Sequence, residues 1–154
     1  MKRRVNVYLD TSVYNRPFDD QNQTRIRLEA EAFLSILEKA VSGAITIIGS
    51  STLHYENSRN PLVERKERVS SYLNIASKIV VVSDNVITRA VSLERAGIEP
   101  IDALHLACAE SGGAEYFVTC DDNIIKKARK DQAMVQMAGC GPLEFVLKEV
   151  FKNA

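Results

Sequence analysis

Two hydrophobic rhythms take turns along this chain. Short β-branched runs, bounded by glycine, proline or acid, are followed by longer stretches in which apolar residues return every three or four positions. The first run, Val5-Asn6-Val7-Tyr8-Leu9, reads as a strand that stops on Asp10, and Val13 to Asp20 after it read as loop. Thr24 to Val41 follow with helical spacing: Ile26, Leu28, Ala30, Phe33, Leu34, Leu37, Ala40 and Val41 recur with Arg, Glu and Lys between them. Thr24 suits the cap of this helix and Gly43 its stop. Ala44 to Gly49 is a short β-branched strand, and Ser50 to Glu56 open a second helix behind a serine or threonine cap.

Asn60-Pro61 breaks the chain, and Pro61 suits the first position of a helix over Leu62 to Ala76. Lys78 to Val82 is the next strand, and Asp84 caps a helix that runs through Val86, Ile87, Ala90, Val91 and Leu93 to Gly97. After Glu99-Pro100, Ile101 to Glu110 is helical and apolar nearly all round, which places it at the centre of the molecule. Gly112-Gly113 closes it. Glu115 to Thr119 is a strand that also ends on acids, Asp121 and Asp122, with a helix from Asn123 to Lys130 behind it. Ala133 to Val135 read as a last strand and Pro142 to Val150 as a last helix. Strands that alternate with helices in this way make a parallel sheet covered on both faces.

Composition narrows the picture. At 154 residues, with 45% hydrophobic and 26% charged side chains, the chain is expected to form one domain spanning 1–154 with a single core. The net charge of zero gives no global pull toward a polyanion, so a nucleic-acid partner needs a local patch. Cys108, Cys120 and Cys140 lack metal-ligand spacing and read as reduced packing residues of a cytoplasmic protein. No apolar run approaches the ~20 residues that span a bilayer, and the basic start runs into a strand too short for a signal peptide.

The chemistry lies in the acids. Asp10 and Asp121 follow strands, while Glu56 and Asp102 lie in the first turns of helices. In a parallel sheet, strand carboxyl ends and helix amino ends share one edge, so these four can converge there. Two carboxylates ~5 Å apart at an effective dielectric of ~20 repel by roughly 3 kcal/mol. Four together therefore take up protons or a cation. An all-oxygen set suits Mg²⁺ or Mn²⁺ rather than zinc. Taken singly, capping accounts for Asp102, Asp121 and Asp122, and a solvated helix face accounts for Glu56. Asp10 is different, because Thr11-Ser12 already supply turn and capping hydroxyls. His105 falls three residues after Asp102 on the same helix face, and both His105 and His54 read as core or supporting residues rather than ligands. Arg16, Arg59, Arg65, Lys66, Arg68, Lys126, Lys127, Arg129 and Lys130 are candidate phosphate contacts, and Tyr14 and Phe18 could stack on bases. No Ser-His-Asp elbow, Walker loop or dinucleotide fingerprint is present.

Four pieces in order, Tyr8-Leu9-Asp10-Thr11-Ser12, Ser51 to Glu56, Ile101 to Ala107 and Val118 to Asp121, resemble a PIN domain of the kind found in VapC-type toxins. The resemblance covers essentially the whole chain. It implies a Rossmann-like three-layer α/β/α sandwich with a central, mostly parallel sheet, and Mg²⁺- or Mn²⁺-dependent endoribonuclease activity. Asp10, Glu56, Asp102 and Asp121 match the family's acidic metal-binding set, and Thr11 or Ser12, and Thr119, match hydroxyl positions that brace it. Asp122 stands as the alternative last ligand or a helix cap. The resemblance further implies an RNA substrate, a cognate antitoxin and a homodimer, with Leu62 to Ala76 and Thr24 to Val41 as contact surfaces. A catalytically silent binding module and a phosphohydrolase acting on small phosphate esters are the competing readings.

Overall fold

The computed structural model describes residues 4–130 and 137–151. Its centre is a five-stranded, all-parallel sheet in the order β3-β2-β1-β4-β5. The strands are β1 Val5–Leu9, β2 Ile45–Ser50, β3 Lys78–Val80, β4 Tyr116–Val118 and β5 Ala138–Cys140. Around them lie α1 Thr11–Asn15, α2 Thr24–Val41, α3 Ser51–Ser58, α4 Val63–Leu73, α5 Asp84–Arg95, α6 Pro100–Ser111, α7 Asp122–Lys130 and α8 Pro142–Phe145. The result is the three-layer α/β/α sandwich. Successive strand residues point to opposite faces. Val7, Tyr8 and Leu9 are all fully buried, and so are Ile47 and Ile48. Both faces of the sheet are therefore covered.

Strand order places the functional edge. The chain builds β1, β2 and β3 outward in one direction, then returns to lay β4 on the other side of β1. That reversal opens a crevice beyond the carboxyl ends of β1 and β4. Leu9 pairs with Val118, and the Asp10 amide donates to the Val118 carbonyl at 2.9 Å, so Asp10 and Thr119 leave the sheet side by side.

Several local expectations shift. The stretch read as a loop after Asp10 is helical, with α1 followed by a 3-10 turn over Arg16–Phe18. A helix this short shows no periodicity, and it is held by its packing: Val13 and Tyr14 are fully buried. In α2 the buried stripe is Ile26, Glu29, Ala30, Phe33, Ile36 and Leu37, while Leu28, Leu34 and Val41 lie off it and are exposed. Helix α2 has Gln23 rather than Thr24 at its cap position, and α5 is capped by Ser83, whose Oγ accepts from the Val86 amide, rather than by Asp84. Pro61 precedes α4 instead of opening it. Its neighbour Asn60 accepts the Leu62 amide and turns the chain. Ser50 does cap α3, accepting from the Leu53 amide at 3.1 Å. The strand read at Ala133 to Val135 lies outside the described residues, and β5 stands a few residues later. Helix α8 continues into a π-helical turn over Val146–Val150. Among the described residues, no helix is long and apolar enough to cross a membrane.

Gly112, at the end of α6, has ordinary helical backbone angles, so its role is spatial. A Cβ there would lie 2.6 Å from Ile48 Cγ2 and 2.9 Å from Val80 Cγ2. Gly112→Ala is expected to destabilise the protein by about 1–3 kcal/mol in chemical denaturation, because α6 must lift off the sheet to admit a methyl group.

Candidate active site

Asp10 is held in place by β1 and β4. It is buried at 6% exposure, and its extended backbone (φ −68°, ψ 159°) makes it the residue before α1. Its Oδ2 accepts from Thr119 Oγ1 at 2.7 Å and from Ser12 Oγ at 3.2 Å. Ser12 Oγ in turn accepts the Cys120 amide, and Thr119 Oγ1 accepts the Asp121 amide, both at 3.1 Å. Two hydroxyls thus tie the ends of β1 and β4 together around one carboxylate.

Glu56 reaches the same region from the second turn of α3, not from the first turn as the sequence suggests. Its Oε1 accepts from Thr11 Oγ1 at 2.5 Å and is hydrogen bonded to His105 Nε2. Burial pushes the Glu56 carboxyl up, but the bonds from His105 and Thr11 outweigh it and hold it below the usual carboxylate range. His105 is buried, as a core histidine should be, and its Nδ1 lies 2.6 Å from the Tyr8 hydroxyl.

Asp102 sits in the first turn of α6, two residues after Pro100. Its carboxyl is raised from the ordinary 3.8 to about 6. Burial is the largest cause, followed by the negative charges of Asp10 and Asp121, with Glu56 adding to them and His105 opposing. Three other acids therefore act on this one group. Asp121 is exposed and caps α7, its Oδ1 accepting the Asn123 amide at 2.9 Å. Asp122 turns the other way and takes both Arg25 Nη atoms of α2, at 2.8 and 2.9 Å, which hold its carboxyl below the usual range.

Among the described residues, no group of three or more His, Cys, Asp or Glu side chains is gathered tightly enough to hold an ion as it stands. The chemistry of the donors fits a hard cation nonetheless. Magnesium keeps several of its waters and takes one or two direct carboxylates, so it does not need a tight cage.

Basic side chains are less available than their number suggests. Arg16 binds Glu29 and Asp19, Arg65 binds Asn15 and Asp19, and Arg129 binds Glu144. The first two lock α1, α2 and α4 together. Tyr14 is no base-stacking residue, for it packs its ring edge-on against Phe33 in the core. Phe18 is partly buried under the Arg65 and Arg68 guanidinium groups, 5.7 and 5.8 Å from its centre, and lines a groove of about 630 Å³ with Pro61, Leu62 and Val63. Tyr8 joins the site through its hydroxyl, which meets His105 and Ser50. Its position two residues before Asp10 on β1, and so on the same face, was the available signal.

The PIN domain family model matches residues 7–130. The chain belongs to the PIN domain family. No curated protein matches it. Among solved structures, the PIN domain here is similar to VapBC2 of Rickettsia felis bound to a DNA fragment from its promoter, with a TM-score of 0.53 and 19% identity over 89% of this chain and 98% of that one. It is also similar to FitAcB of Neisseria gonorrhoeae, with a TM-score of 0.57 and 16% identity over 88% of this chain and 97% of that one. At these identities the likeness is one of fold.

Proposed function

We propose that this PIN domain is a Mg²⁺- or Mn²⁺-dependent endoribonuclease and the toxin of a type II toxin–antitoxin pair, acting in the cytoplasm as a homodimer. The observation that carries the nuclease reading is the Asp102 carboxyl, lifted to about 6 by burial and by Asp10, Asp121 and Glu56. A crowd of acids that raises one member's proton affinity is a crowd that a hard cation relieves.

In this reading Asp10 and Asp102 hold the main ion, directly or through water. Thr119 and Ser12 fix the Asp10 carboxylate from behind. Glu56, held ionised by His105 and Thr11, adds its charge to the metal-binding set and orients or deprotonates the attacking water. Asp121 completes the outer part of the site. When bound, the ion polarises the scissile phosphate and acidifies water. Phe18 and Arg68, with the groove they line, offer a stacking and charged surface to RNA. The antitoxin partner is supported by the fold shared with VapBC2.

The test is cleavage of single-stranded RNA with Mg²⁺ or Mn²⁺, with and without EDTA, beside a chromogenic phosphomonoester. Metal-dependent cleavage of RNA alone is expected. Cleavage in excess EDTA, or turnover of the monoester only, overturns the reading. Asp122→Asn is expected to stay within about twofold of the parent activity, because Asp122 is spent on Arg25, whereas Asp121→Asn should lose about tenfold or more. The opposite ranking makes Asp122 the last ligand. The competing reading is a catalytically silent binding module. A titration with Mn²⁺ that shows no binding decides for that module.

A further inference from the structure

Tyr8 and His105 have no direct part in the chemistry proposed above, yet they are 0% and 1% exposed and joined in one chain of hydrogen bonds. Tyr8 Oη lies 2.6 Å from His105 Nδ1 and 2.7 Å from Ser50 Oγ. Ser50 Oγ accepts the Leu53 amide. At the other end, His105 Nε2 meets Glu56 Oε1, which also accepts from Thr11. An ionised carboxylate only accepts, so Nε2 carries a hydrogen toward Glu56. With a neutral ring, Nδ1 accepts from Tyr8, Tyr8 accepts from Ser50, and Ser50 accepts from Leu53. This proton assignment comes from the pattern of donors and acceptors, and it satisfies every atom in the chain.

The chain starts and ends on α3, at Leu53 and Glu56, and passes through β1 and α6 between them. An unsupported glutamate on a helix samples several rotamers. This one is held by one oxygen from two sides. We propose that Tyr8 and His105 are positioning residues for Glu56: they fix Oε1 and leave Oε2 to serve the acidic cleft. This rests on the metal-dependent reading above. Groups that orient a ligand from behind are commonly worth 10–100-fold in metal affinity.

Tyr8→Phe isolates the effect. The ring of Tyr8 stacks on Phe117 at 5.5 Å and 10°, and Ser50 caps α3 on its own, so both survive loss of the hydroxyl. The experiment is Mn²⁺ affinity by electron paramagnetic resonance for the parent, Tyr8→Phe, Glu56→Gln and the double variant. Each single change is expected to weaken binding about tenfold, and the double variant to bind no more weakly than Glu56→Gln. A purely structural Tyr8 would weaken both backgrounds by the same factor, which overturns the proposal, as does Tyr8→Phe binding as tightly as the parent. Should Glu56→Gln itself bind at parent affinity, the metal role of Glu56 falls and the proposal with it. A second measurement needs no variant: the imidazole ¹⁵N shifts of His105 should show a protonated Nε2 and a bare Nδ1. A bare Nε2 contradicts the clamp.

Discussion

Asp10→Asn is expected to lower RNA cleavage by on the order of 10³-fold, about 4 kcal/mol of transition-state stabilisation, with the fold intact. The amide has nearly the carboxylate's shape, and its oxygen can still accept from Thr119 and Ser12. What the variant loses is the charge of the buried acid between β1 and β4, where an ion would be held most rigidly. Higher Mn²⁺ concentrations should recover part of the loss if affinity is what fell. The comparison is initial cleavage rate at several Mn²⁺ concentrations, with circular dichroism as the control for folding. Activity within tenfold of the parent would remove Asp10 from the site.

Asp102→Asn should do two opposite things: lower cleavage by about 10²–10³-fold and make the metal-free protein more stable at pH 7. The folded state holds the Asp102 proton more tightly than the unfolded chain, about 6 against the ordinary 3.8. The stability this group contributes is therefore fully present below about pH 4 and is lost as pH rises through about 6. At pH 7 the ionised carboxylate is a liability of ~3 kcal/mol at face value, or ~1 kcal/mol once solvent screening of a half-buried group is allowed for. Denaturation in EDTA should thus show Asp102→Asn ahead by about 1 kcal/mol at pH 7 and level with the parent near pH 4. Mn²⁺ should reverse the order at pH 7, because binding to the parent adds stability by mass action that the variant forgoes. A variant that is less stable than the parent in EDTA at pH 7 would mean that Asp102 is not crowded by like charge.

Both predictions concern residues that stand out in the chain itself, and the reason is physical. A β-branched run that stops on an acid, with hydroxyls directly behind it, has few other meanings at the edge of a parallel sheet. Asp102 is legible because Pro100 starts its helix, and Glu56 because Ser50 caps its own. Partnerships across long sequence distances are not legible in this way. Asp121 and Asp122 are neighbours with equal claims until Arg25, on α2, takes Asp122. Arg16 and Arg65 look like free cations until Glu29 and Asp19 are seen beside them. Tyr8 reads as one more strand residue, since nothing local reveals a hydroxyl that meets His105 and Ser50. Helix α1 is not legible because a single turn carries no period, and its burial comes from α2 and α4 rather than from its own pattern.

The most direct measurement is an anomalous difference map from crystals of the metal-free protein soaked in MnCl₂. A peak is expected within ligand or water-bridged distance of both Asp10 and Asp102, at the carboxyl ends of β1 and β4. A fully occupied peak elsewhere on the molecule, or none at saturating Mn²⁺, would contradict it.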